Sequence, residues 1–183
     1  MAVKTINDTL TVEQLRDALI YDPDTGLFRW LIRPRNHFKS QQAFKAWNSR
    51  YAGNVAGTAD RRGYTTIRIF GMHQSLHRLA YLFMIGIWPD KTIDHINREK
   101  TDNSWKNLRK ATHSQQSINQ PLSSRNKSGY RGVCWCPYKL KWNARIKLEN
   151  KQTNLGYFAS KLDAHAAYCE AAIRLHGEFA RFS

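Results

Sequence analysis

The sequence predicts an α+β protein in two parts: a first body of short alternating helices and strands, then three strands followed by one long helix. Three observations predict it. Apolar residues recur at helical spacing over residues 12–19 and 77–85, and alternate at strand spacing over 64–69. The polar stretch QQSINQPLSSRNKS, at 115–128, carries a proline and four serines and reads as a linker. Beyond it the pattern changes to strand-like runs and an alanine-rich helix. A chain of 183 residues that is 42% hydrophobic and 12% aromatic can build packed cores, which excludes a mainly disordered protein.

Taken in order, Thr11-Val12-Glu13-Gln14 is a capping box, with Thr11 as N-cap and Gln14 at the third helical position. The helix it opens carries Val12, Leu15 and Leu19 on one face and is expected to end near Tyr21. Asp22-Pro23-Asp24-Thr25-Gly26 is a turn leading into a strand from Leu27 to Leu31. Residues 33–51 are basic and aromatic and read as an exposed segment without assigned structure. Asp60-Arg61-Arg62-Gly63 turns into the alternating strand Tyr64–Ile69, with a second turn at Gly71. His77 to Ile85 is helical and is stopped by Gly86 and Pro89. A short strand follows from Lys91 to His95, then a polar loop over 97–107 and a helix from about His113. After the linker, Tyr130–Cys136, Lys141–Leu148 and Thr153–Phe158 read as strands. A helix begins at Ser160 and ends at the C-cap His176-Gly177. Domain boundaries are expected at 1–114 (closing helix to about 119), 120–127 and 128–183.

Charge and residue usage narrow the function. Lys and Arg number 29 against 14 Asp and Glu, a formal net charge of +15, which calls for a polyanionic partner. The longest apolar stretch, Leu79 to Trp88, is about ten residues, too short to span a bilayer. The N-terminal MAVKTINDTLTVEQL has no apolar export region, so a cytoplasmic location is expected. Three cysteines without a CxxC pair favour neither a disulfide framework nor a four-ligand zinc site.

The most informative residues are Thr92-Ile93-Asp94-His95-Ile96-Asn97, Asp102-Asn103 and Asn107-Leu108-Arg109. They set an acidic oxygen ligand beside an imidazole at the end of an apolar run. Phosphodiester hydrolysis needs an activated water and a cation on the phosphate. His95, with an ordinary pKa of about 6.5, is a base suited to neutral pH. Asp94 alternates with it along the strand, so the two side chains are expected on opposite sides. Asn107 is placed to brace the loop by hydrogen-bonding across it to backbone. The residues thus point to metal-dependent cleavage of nucleic acid.

Together with Leu76-His77-Arg78-Leu79, Trp88-Pro89 and Ala111-Thr112-His113-Ser114-Gln115, these residues resemble the HNH (ββα-metal) endonucleases, particularly phage homing endonucleases. The resemblance implies His95 as general base, Asp94 as metal ligand and Asn107 as the residue that orients the base. The family's second ligand, an Asn or His, falls on Gln116 here. That is a departure, with His113 and Asn119 as substitutes one turn away. The metal implied is Mg²⁺ or another divalent cation such as Mn²⁺. His77 reads as a packing or loop-bracing residue, and Arg78 as a candidate phosphate contact.

Residues 128–182 resemble the APETALA2-type domain of plant ethylene-response factors. The match is carried by Ser128-Gly129-Tyr130-Arg131-Gly132-Val133, Trp142, Ala144, Ile146, Leu155-Gly156-Tyr157-Phe158 and the helix through His176-Gly177. The resemblance implies a three-stranded antiparallel sheet packed on one helix and laid in the major groove. The candidate DNA contacts are Arg131, Trp135, Tyr138, Arg145, Lys147 and Asn154, while Cys134 and Gln152 depart from the plant pattern. Arg33, Arg35, Lys39, Lys45, Arg50, Arg125 and Lys127 are further basic candidates for the phosphate backbone. The reading is a site-specific, homing-type DNA endonuclease of phage type. It acts in the host cytoplasm on double-stranded DNA as a monomer and nicks one strand, with neither a membrane nor a small-molecule partner. The alternative is a non-catalytic DNA-binding protein on a degenerate HNH scaffold.

Overall fold

A computed structural model describes residues 10–149 and 151–182; the start of the N-terminal stretch read for export lies outside them. The chain divides into two compact units, 1–110 and 111–183. Among the described residues no helix is long and apolar enough to cross a membrane.

The first unit begins with helix α1 (Val12–Ala18), whose Thr11 capping box forms as the sequence predicts. The helix stops at Ala18 rather than Tyr21. Leu19–Tyr21 instead form strand β1, paired antiparallel with β2 (Phe28–Trp30). In both strands the outer residues are buried and the middle one exposed, so a period of two serves Leu19 and Tyr21 better than a further helical turn. Segment 33–51 is also corrected. It holds a 3-10 turn at Arg35–His37 and helix α2 (Gln41–Tyr51), capped by the Ser40 hydroxyl accepting from the Ala43 N–H. Arg33 does not reach outward. Its guanidinium lies 5.0, 4.9 and 4.7 Å from the ring centroids of Phe38, Trp47 and Phe70.

Strands β3 (Thr58–Ala59), β4 (Thr65–Ile69) and β5 (Met72–Ser75) form an antiparallel meander in sequence order. The β4–β5 turn is two residues long, Phe70 and Gly71, both at positive φ, so Ile69 pairs with Met72. Helix α3 (Leu76–Ile85) ends on left-handed Gly86, as predicted. Its Leu76, Leu79, Ala80 and Leu82 join Leu15, Leu19, Phe28, Ile67 and Ile69 in one core. Strand β6 (Thr92–His95) pairs with β7 (Leu108–Ala111), a strand the sequence reading omits. Leu-Arg-Lys-Ala has no β-branched or aromatic residue, so pairing rather than propensity makes it a strand.

The second unit opens with helix α4 (His113–Ile118), capped by Thr112 and Gln115. Strands β8 (Val133–Cys136), β9 (Lys141–Leu148) and β10 (Lys151–Phe158) follow in the order β10-β9-β8, all antiparallel, with an irregularity between Asn154 and Gly156. Helix α5 (Lys161–His176) buries Ala164, Tyr168, Ala171 and Ala172 against them. Gly132 is indispensable to this packing. At φ +71 an added Cβ would sit 2.1 Å from the Tyr168 ring and 2.7 Å from the Arg145 carbonyl oxygen. Gly132→Ala is therefore expected to cost about 2–4 kcal/mol, read as a lowered midpoint in denaturant.

Candidate active site and nucleic-acid surface

Strand β6 ends at His95, and the backbone turns at once into the 96–107 loop. Asn107 clamps this loop at both ends: its Oδ1 accepts from the Asn97 N–H at 2.9 Å and its Nδ2 donates to the Asp102 carbonyl at 2.8 Å. The Ile96 N–H donates to the Asn107 carbonyl at 2.8 Å, closing the neck. Asp102 ties the middle, accepting from Asn97 Nδ2 and from the Ser104 hydroxyl, both at 2.7 Å. The Ser104 hydroxyl bond above all holds its carboxyl below the usual range, so it remains a carboxylate.

His95 is buried, with Nε2 3.3 Å from Asn103 Oδ1. The Asn103 amide is oriented by its Nδ2, which donates to the Thr101 carbonyl at 3.1 Å. Asn103 thus presents an acceptor, so Nε2 carries the hydrogen and Nδ1 is the basic nitrogen of the neutral ring. Burial holds the His95 pKa below its ordinary value. The Asn103 hydrogen bond and the carboxylates of Asp94, Asp102 and Glu99 pull against it. His77 packs edge-on to His95, 5.2 Å between centroids, and Tyr64 lies 5.2 Å from His77. Lys100 sits over the Tyr64 ring and donates to the Arg62 carbonyl, so lysine and arginine border this ring cluster.

Asp94 is buried too, and its Oδ2 accepts from Arg109 Nε and one Arg109 terminal nitrogen, each at 3.2 Å. Both side chains are less than a tenth exposed, so each compensates a charge that burial alone would penalise. Arg109 and Asn103 stand inside the quoted motifs but receive no role from sequence; only their positions fifteen and eight residues from their partners in chain, yet in contact, supply one. Arg78 lies over Trp88, 5.5 Å from its centroid.

The loop is also held from far upstream. The Tyr21 hydroxyl, kept protonated by burial, donates to the Asn103 carbonyl at 2.7 Å, and the Trp105 N–H donates to the Pro23 carbonyl at 2.8 Å. Gly26 packs so closely that a Cβ there would lie 2.2 Å from the Ser104 nitrogen. Tyr21→Phe leaves the Asn103 carbonyl without this donor, and is expected to destabilise by about 1–3 kcal/mol in thermal or denaturant unfolding.

A divalent cation is tested against these donors. Asp94 offers a hard anionic oxygen, which suits Mg²⁺, an ion that retains waters and binds through one or two carboxylates plus substrate phosphate. Among the described residues no group of three or more His, Cys, Asp or Glu could hold a metal unaided. The donors therefore fit a site completed by phosphate and water, and not an all-protein cage. Gln116 lies on α4, partly buried.

In the second unit, strand register divides the DNA-binding candidates. Arg145 pairs with Asn154 and Lys147 with Gln152, on the sheet face opposite the one that buries Ala144 and Ile146 against α5. Trp135 pairs with Trp142 on the helix side, rings 5.2 Å apart, at the end of the core. Tyr138, in the β8–β9 turn, is 98% exposed. Asn154 Oδ1 already accepts from Asn143 Nδ2 at 2.6 Å and from the Gly156 N–H at 3.0 Å. With both lone pairs used, it can offer a base only its Nδ2 hydrogens, and not the paired donor–acceptor contact that a free Asn amide makes to adenine.

Comparison with known proteins agrees with this geometry. Residues 74–118 match the family described as HNH endonuclease. The matched region lies in the middle of the chain, not at its N-terminus, and ends before residues 128–182. The chain is 34% identical to Protein 3.8 of Escherichia phage T7 over 92 residues, 49% of this chain and 74% of that one. It is 34% identical over 122 residues to an uncharacterized HNH endonuclease of Acanthamoeba polyphaga mimivirus. That match covers 66% of this chain and 62%, under two thirds, of the viral one. No solved structure matches. The chain belongs to the same family as Protein 3.8 of phage T7 and carries an HNH endonuclease family domain at residues 74–118.

Proposed function

We propose that the protein is a site-specific, homing-type DNA endonuclease that nicks one strand per binding event. The observation that carries this is His95, fixed by Asn103 at the mouth of a loop that Asn107 clamps shut. His95 Nδ1 takes the proton of the attacking water. Asn107 keeps the loop, and with it the imidazole, in position, and Asn103 holds the tautomer. Asp94 would hold the divalent cation, with Gln116 as second ligand on the family's spacing alone. A bound Mg²⁺ would supply positive charge at the scissile phosphate and the leaving oxygen. Residues 1–114, with the closing helix to about 119, form the nuclease part; 120–127 are a linker and 128–183 the DNA-binding part. Arg145, Lys147 and Asn154 on the open face of the C-terminal sheet, joined by Arg131 and Tyr138, grip the duplex as in the APETALA2-type domains. Trp135, on the opposite, helix-side face but about half exposed, reaches DNA only from the edge of the sheet, and Arg78 contributes on the nuclease side. The protein acts as a monomer on DNA inside the host cell.

A second reading is favoured by one observation: the Asp94 carboxylate is already engaged by Arg109. On it the chain binds DNA without cutting. Supercoiled DNA with Mg²⁺ or with EDTA separates the two, run beside Gln116→Asn. Open circle formed only with Mg²⁺ by the natural chain supports the nuclease. Cleavage by Gln116→Asn alone supports the non-catalytic reading, as does none by either.

A further inference from the structure

The second unit contains a cavity of about 370 Å³ that the comparisons leave unassigned. Its cationic walls are Arg131, Arg145 and Lys147, and α4 contributes Ser114 and Ser117. Among the described residues no carboxylate lines it. Arg145 and Lys147 alternate on one strand face, so their Cα atoms are only about 7 Å apart. Neither side chain has an ion pair or hydrogen bond among the described residues. Two like charges this close repel one another, and an anion bound between them relieves the repulsion. The Ser117 hydroxyl donates to the His113 carbonyl at 2.9 Å, whereas the Ser114 hydroxyl has no hydrogen-bond partner among the described residues. The volume exceeds that of one bare phosphate and suits a phosphate with its sugar.

We infer that this cavity is a binding site for a phosphate group, as a monoester or a backbone diester. Guanidinium and ammonium groups from β9 meet the anion from one side and the α4 hydroxyl from another. Because α4 also carries Gln116, phosphate bound here fixes the helix that bears that residue. Naming DNA as the source of the phosphate rests on the proposed function; the anion site itself does not.

The test is an NMR titration of the full ¹⁵N-labelled chain with inorganic phosphate in EDTA, where no cleavage occurs. The amides of Ser114, Gly132 and Lys147 are expected to shift along one isotherm. Arg145→Gln with Lys147→Gln is expected to weaken phosphate by about tenfold or more, through the loss of both β9 cations. Lys139→Gln, over Tyr157 and outside the cavity, is expected to leave it unchanged. Absent shifts overturn the site, as do shifts that persist in the double variant while its spectrum remains folded. A short duplex that displaces phosphate identifies the backbone as the source; phosphate retained against duplex identifies a small monoester. The nuclease reading can fail without altering this result, since nothing is cut in the measurement.

Discussion

His95→Ala is expected to slow cleavage of DNA by about 10²–10⁴-fold, the usual contribution of a positioned base, with duplex affinity measured in EDTA unchanged. Binding should survive because the duplex contacts proposed above lie on other side chains, while the 96–107 loop is closed by Asn107 and Asp102 and not by the imidazole. The pH profile follows from the same site. Burial lowers the His95 pKa, so the ring is already neutral at pH 7, and the rate should be flat there and fall only in acid. Asn103→Ala removes an interaction that raises this pKa, so the acid limb should move to still lower pH as the maximal rate drops. Retention of full cleavage by His95→Ala ends the assignment of the base.

The largest effect on stability is expected from His77 in acid. Burial is the chief cause of its pKa falling from 6.5 to about 3, aided by His95, Arg78 and Arg62 and opposed by Asp60. The unfolded chain therefore binds a proton in this window that the folded chain refuses. The stability His77 contributes is complete above about pH 6.5 and is lost as pH falls towards 3. The loss is on the order of several kcal/mol, a large part of what a domain of this size has to spare. His77→Phe keeps the ring against Tyr64 and His95 but cannot take up a proton. It should flatten the dependence of the unfolding midpoint on pH between 4 and 6.5; an unchanged dependence would place the acid sensitivity elsewhere.

How much could be read beforehand depended on how local each signal was. The Thr11 box, the Gly86 stop and the Ser160–Gly177 limits of the long helix are carried by residues within one turn, and all appear where expected. Leu19–Tyr21 was ambiguous because Leu15 and Leu19 fit a helix while Leu19 and Tyr21 fit a strand. Only pairing with Phe28–Trp30 decides it. Helix α2 fully buries none of its residues; Ser40 as N-cap and the i, i+3, i+7 spacing of Phe44, Trp47 and Tyr51 are its local signs, and the ring cluster around Arg33 does the rest. At the site, Asp94, His95 and Asn107 stand out from spacing alone. Their partners do not: Arg109 meets Asp94 across a strand pair, and Tyr21 reaches Asn103 over 82 residues. Contacts of that separation leave no periodic trace in sequence.

The close seat of Gly26 on Asn103 and Ser104 bears on how this family's domain can be shuffled between genes. The family match runs over 74–118, yet the turn at 22–26 covers the flank of the loop within it. A recombination event that carried only the matched stretch into another chain would leave the Asn103 carbonyl and the Trp105 N–H facing the new host without Tyr21 and Pro23. The portable piece is thus larger than the recognisable one. Two segments far apart in the gene must be inherited together, and any side chain gained at position 26 would break that inheritance from the upstream end.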